Sequence, residues 1–215
     1  MPNRISLPRR RGVRALALAA FALLAACGRP AAQARPERPK PAGAVSAMDL
    51  GGQKVLILPV QSVRGLPVTR DQATAEIVFA LGEWDARTPW VTPEQLRAAL
   101  RRAPGYAPDP GTLPRDAFVH HQERYVVEPL IGQLRRYTAL MDTRLVLVLR
   151  EAAWLPVPDG SGGVVRLSAA MIDSRNGNIV WLGEADGPAR PQADAAGVAT
   201  AAAALAARMV VPGQQ

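Results

Sequence analysis

Residues 164–184, VVRLSAAMIDSRNGNIVWLGE, constrain the fold of this chain more than any other stretch. Val165, Leu167, Ala169 and Met171 alternate with Val164, Arg166, Ser168 and Ala170. A period of two marks a strand with one buried face. Asn176 and Gly177 tolerate positive φ, so they supply a tight reversal between Ser174 and Asn178. The return run Ile179, Val180, Trp181, Leu182 is apolar on both faces, which predicts an interior strand. The spacing Asp173, Gly177, Trp181 also occurs in propeller blades. A propeller would repeat it along the chain, and here it occurs once, so the expectation is a hairpin that builds a sheet.

Charge needs to be located before it is interpreted. The 215-residue chain carries a net charge of +8. Arg4, Arg9, Arg10, Arg11 and Arg14 stand in the first 26 residues without an acid. Residues 28–46 add Arg29, Arg35, Arg38 and Lys40 against Glu37. Residues 47–215 balance, with 17 basic and 17 acidic side chains. The basic excess therefore belongs to the N-terminal segment, and the remainder carries no nucleic-acid signal.

That N-terminal segment reads as a secretory signal over residues 1–26: a basic start, then an apolar run over 15–24. The run is shorter than the roughly 20 residues that span a bilayer. Leu24, Ala25, Ala26 and Cys27 follow, and this quartet resembles the lipobox of bacterial lipoproteins. The resemblance implies a thioether-linked diacylglycerol on Cys27, cleavage before it, and acylation of the new amino terminus. Several acyl chains, palmitate among them, anchor far more firmly than one. Cys27 is the single cysteine, so no disulfide forms within the mature chain. In lipoproteins an Asp after the Cys favours retention in the inner membrane. Gly28 therefore favours the outer membrane, facing the periplasm. Residues 27–47, with their prolines and few large apolar side chains, read as the lipidated Cys and a disordered tether. A periplasmic domain is expected over 48–211.

Within that domain, segment 54–60 (KVLILPV) predicts a buried strand. Thr69 or Asp71 caps a helix over 72–84, with Ala73, Ile77, Ala80, Leu81 and Trp84 at helical spacing. Residues 88–91 suggest a short edge strand. Thr92, Pro93 and Glu94 then open a helix over 93–102 that puts Leu96 and Leu100 on one side. Arg97, Arg101 and Arg102 make a basic tip, read as a solvated face. Residues 103–114 are a proline-rich loop in which Tyr106 is a candidate contact. Residues 118–141 are expected to be mostly helical, with a regular start or kink near residues 127–128 because of Pro129. His120 and His121 are adjacent, point about 100° apart on a helix, and have no further His to complete a zinc site, so they are read as solvated. Residues 144–150 predict an interior strand, 156–163 a flexible loop, and 191–211 an alanine-rich helix that lies on the sheet. Asp173, Glu184 and Asp186 read as exposed strand-end charges.

The fold class is α/β: a single domain, a mixed sheet carrying a hairpin in its C-terminal half, and helices packed on it. KVLILPV, RLVLVLR and the hairpin resemble the periplasmic α/β domains of the curli-assembly lipoprotein family. They are also similar to lipoprotein activators of penicillin-binding proteins and to the N-terminal domain of the Tol-system propeller protein. The resemblance covers residues 53–210 and implies a non-enzymatic envelope module that binds a protein partner, without cofactor or metal. A homo-oligomer is compatible with it. The alternatives are a subunit of a curli-type secretion pore and an envelope hydrolase. Against a hydrolase, no Gly-x-Ser-x-Gly elbow, metal-ligand spacing or phosphate loop occurs in the sequence.

Overall fold

The computed structural model describes residues 47–114 and 124–211. The elements follow the local chemistry closely. Strand β1 (Val55–Leu58) is buried at every position. Pro59 has no N–H and ends it. The chain rejoins the sheet through Gln61, whose N–H donates to Leu149 O at 2.9 Å, and continues as β2 (Ser62–Arg64).

Helices α1 (Arg70–Trp84) and α2 (Pro93–Arg102) open with the same device. Thr69 and Thr92 accept from the backbone N–H of Gln72 and Gln95, and each Gln side chain returns to the Thr N–H. This reciprocal box satisfies donors that a helix start leaves without partners. Strand β3 (Trp90–Val91) lies between the two helices in sequence.

The C-terminal half supplies α3 (Leu130–Met141), the long strands β4 (Leu145–Pro156) and β5 (Gly163–Asp173), β6 (Ile179–Asp186) and α4 (Ala195–Met209). The mixed sheet runs β3-β1-β4-β5-β6. β1 is parallel to both β3 and β4, and β2 extends the same parallel side of β4 over Glu151–Ala153. β4–β5 and β5–β6 are antiparallel hairpins that share β5. A register shift between Leu149 and Glu151 leaves Arg150 as the extra residue of a bulge.

Two apolar layers enclose the sheet. On one face, Val165, Leu167, Ala169 and Met171 meet Ala73, Ile77 and Leu81 of α1 and Val198, Ala202 and Leu205 of α4. The alanines of α4 let it lie close on β5 and β6, and Asp194 caps its start by accepting from Gly197 N at 2.7 Å. On the other face, Leu56, Leu58, Val146, Val148 and Ile172 meet Leu96 of α2 and Leu130, Leu134 and Tyr137 of α3. Met48 pairs with Val210, so the two ends of the described chain meet. Among the described residues, no helix is long and apolar enough to cross a membrane.

Four expectations need correction. β6 is an edge strand and not an interior one. Its apolar residues divide between layers: Trp181 and Ala185 sit in the α1/α4 core, Ile179 packs on the opposite one, and Val180 and Leu182 stay half-buried. Of the segment expected to be helical over 118–141, residues 118–123 lie outside the described residues, and the regular helix expected to start near 127–128 runs Leu130–Met141. Residues 124–127 are not helical, because Tyr125 bridges Asn178 and Val126 N donates to Gly177 O at 2.8 Å. β4 continues past Arg150 to Pro156, since the bulge keeps it paired with β5. Asp173 is buried rather than exposed. Its carboxylate accepts from the Arg144 guanidinium, at 2.9 Å from Nε, and from Arg175 N at 3.0 Å. Gly177 makes the reversal with φ of +77° and donates to Asp173 O at 2.8 Å.

Candidate functional site

Three surfaces have the chemistry to meet another molecule. The first is a polar cleft of about 540 Å³ outside the carboxyl end of β1, where open α/β sheets commonly bind ligands. Thr69, Arg70 and Asp71 of the α1 start, Arg97 of α2, and Asp109 and Gly111 of the 103–114 loop line it. Its charges are already engaged. Arg70 Nη1 donates to Gly111 O at 2.9 Å, and Arg97 Nη2 donates to Asp71 Oδ1 at 2.7 Å. The predicted basic tip thus divides: Arg97 folds back on Asp71, while Arg101 and Arg102 are exposed.

The 103–114 loop is tied down rather than free. Gln61 holds it from both sides, donating to Pro110 O at 2.9 Å and accepting from Leu113 N at 3.1 Å. Tyr137 donates to Pro108 O at 3.0 Å. Burial, with the charge of Asp109, pushes the Tyr137 hydroxyl up to about 12. Tyr106, the sequence-predicted contact, is exposed on this loop.

The second surface is a charge ladder across β2, β4, β5 and β6. Arg64 pairs with Glu151, and Arg166 grips Asp186 with two bonds of 2.6 and 2.7 Å and stands 3.6 Å from Glu184. The Arg64 guanidinium holds the Glu151 carboxyl below the usual carboxylate range. Burial lowers Arg150, against the pull of Glu184 and Glu151. Arg166 and Asp186 face each other across the antiparallel β5–β6 pair, where opposite charges stabilise a half-exposed face, and Arg64 reaches Glu151 across the parallel β2–β4 pair.

The third surface is a groove of about 240 Å³ between α1 and α4. Phe79 is 65 % exposed, and Trp84 is 37 % exposed. The Trp84 indole is aimed by its own bond, Nε1 donating to Val210 O at 2.8 Å. Ala199 and Ala203 of α4 form the opposite wall. Glu76 and Glu83 stand at the rim, seven residues apart on α1, and so fall on one side of the helix. The volume is below the roughly 300–1,000 Å³ of drug-sized ligand sites. It suits side-chain anchors of a protein better than a whole small molecule.

The sequence stripe Ala73, Ile77, Ala80, Leu81, Trp84 did not contain Phe79. An aromatic residue off the core stripe of an amphipathic helix was the signal available for this groove. Cys27, His120 and His121 lie outside the described residues. Among the described residues, no group of three His, Cys, Asp or Glu side chains is arranged to hold a metal ion.

No family model matches the sequence, and no curated protein does. Among solved structures, the chain is similar to the PelC dodecamer of Paraburkholderia phytofirmans: 16% identity over 78% of this chain and 95% of that one, with a TM-score of 0.45. It is also similar to the LpoB C-terminal domain of Salmonella enterica, at 17% identity over 66% of this chain and 84% of that one, with a TM-score of 0.40. Lipoprotein GNA1162 of Neisseria meningitidis aligns at 17% identity over 62% of this chain and 78% of that one, with a TM-score of 0.34.

Proposed function

We propose that this is a lipid-anchored cell-envelope protein whose periplasmic domain docks a protein partner in envelope assembly or cell-wall synthesis. Cys27 carries the acyl chains and holds the chain at the outer membrane. Residues 27–47 tether the domain, and the domain works by binding rather than by catalysis.

One observation carries the binding reading: Phe79, 65 % exposed beside Trp84, lines an apolar groove between α1 and α4. A monomer keeps such residues in water at a cost, and exposed apolar patches rimmed by polar groups mark contact sites. The anchor reading rests on Leu24, Ala25, Ala26 and Cys27 and on the basic and apolar segments before them.

The test is fractionation of cells carrying the wild-type chain or Cys27→Ser, with chemical crosslinking of each fraction. The wild type sediments with membranes and is captured with an envelope protein. Cys27→Ser leaves the membrane fraction. If Cys27→Ser sediments as before, the anchor is wrong. If the wild type captures no protein and the purified domain turns over a substrate, the binding reading is wrong.

A further inference from the structure

The α1/α4 groove has a definite chemistry, and it deepens the binding reading, on which it rests. Several carboxylates of the described surface are matched by an arginine: Asp71 by Arg97, Glu151 by Arg64, Asp186 by Arg166, Asp194 by Arg190. Glu76 and Glu83 take part in no ion pair among the described residues, and the groove they border contains no cation. Two uncompensated negative charges thus flank an exposed aromatic ring. Their seven-residue separation on α1 sets them about 10 Å apart along the axis, at about 1.5 Å per residue. The facing wall of α4 is alanine, so nothing bulky keeps a third backbone away.

We propose that the groove receives an amphipathic helix of the partner protein. That helix carries Lys or Arg one heptad apart, opposite Glu76 and Glu83, and places large aliphatic side chains between them against Phe79 and Trp84. This is the helix-in-groove mode, with anchors at helical spacing supplying affinity and the flanking charges fixing register. A bilayer with anionic headgroups is the wrong occupant, because the rim has the same sign as its surface. A second copy of the groove is wrong for the same reason.

Photo-crosslinking in intact cells tests this. Benzoylphenylalanine replaces Phe79 in the full chain, and in a parallel strain it replaces Tyr106 on the 103–114 loop. The captured segment is then mapped by mass spectrometry. The inference predicts capture at position 79 of a partner segment with two cations about seven residues apart. Capture falls at least about tenfold with Glu76→Lys/Glu83→Lys, a loss typical of a disrupted anchor site. Glu76→Gln/Glu83→Gln, which removes charge without adding repulsion, gives a smaller loss in the same direction. Both rim variants keep the wild-type melting curve, because the side chains replaced make no ion pair in the fold. Capture of lipid, of a second copy or of an acidic segment at position 79 overturns the inference. Protein capture at position 106 with none at 79 overturns it and leaves the binding reading standing. No protein captured at either position defeats both.

Discussion

Gly183 provides a sharp test of the packing around the edge strand. It stands two residues from Trp181 on β6, and the two share a face. A Cβ at Gly183 would lie 2.6 Å from Trp181 Cζ2 and 2.8 Å from Cη2. Carbon atoms in packed interiors prefer about 3.5–4.0 Å. Gly183→Ala therefore requires the indole to move by about 1 Å, and Trp181 is only 1 % exposed in the α1/α4 core. Overpacking of this kind costs about 1–3 kcal/mol. For a domain of this size the loss lowers Tm by about 2–4 °C per kcal/mol. Thermal denaturation followed by far-UV circular dichroism reads the shift, and near-UV dichroism reads the displaced indole. Trp181→Leu destabilises on its own, because it leaves a cavity. In the double variant the clash is gone, so the combined loss falls short of the sum by about 1 kcal/mol or more, as for residues in direct contact. Strictly additive losses, or a Gly183→Ala variant that melts with the wild type, would refute the reasoning.

Three further outcomes follow from the same geometry. Arg144 and the Arg175 N–H hold the buried Asp173 carboxyl below the usual range; a depressed folded value gives stability that is full above the unfolded value of about 4 and is lost as pH falls through the folded one. Asp173→Asn therefore melts well below the wild type at neutral pH, and the gap narrows toward pH 3. Gln61→Ala removes two of the side-chain hydrogen bonds that hold the 103–114 loop, so amide exchange and protease cleavage near Pro110–Leu113 accelerate by about tenfold, as loss of one or two net hydrogen bonds predicts. Burial pushes the Tyr137 hydroxyl up to about 12; spectrophotometric titration shows a tyrosinate step near that value, and Tyr137→Phe removes it.

Much of the fold was legible because local and global preferences agree. The alternation of β5 matches its burial from Val164 to Ala169, while Ala170 to Asp173 are buried on both faces of the sheet. Thr69, one of the two caps expected for α1, and Thr92 mark helix starts that the structure keeps, and the alanine face of α4 needs a flat sheet to cover it. The misses arose where a distant partner decides. Nothing local in Ile-Val-Trp-Leu tells whether a second strand lies beside it, so β6 read as interior. Val127 fits a helical stripe with Leu130, Ile131 and Leu134, yet the bridge of Tyr125 and Val126 to the hairpin turn keeps the residues before Leu130 out of the helix. Asp173 read as surface charge because its partner Arg144 lies 29 residues away. The groove was not legible because it joins α1 to α4 across more than 100 residues. Its one local sign was an aromatic residue where an amphipathic helix normally faces water.

The most direct test of the account is a titration of the purified domain, residues 47–211, with the protein captured in the envelope, followed by calorimetry. The account predicts saturable binding that weakens at least about tenfold with Phe79→Ala, the scale of an anchor residue, and weakens with added salt through Glu76 and Glu83. Equal affinity of wild type and Phe79→Ala, or insensitivity to salt, would contradict it.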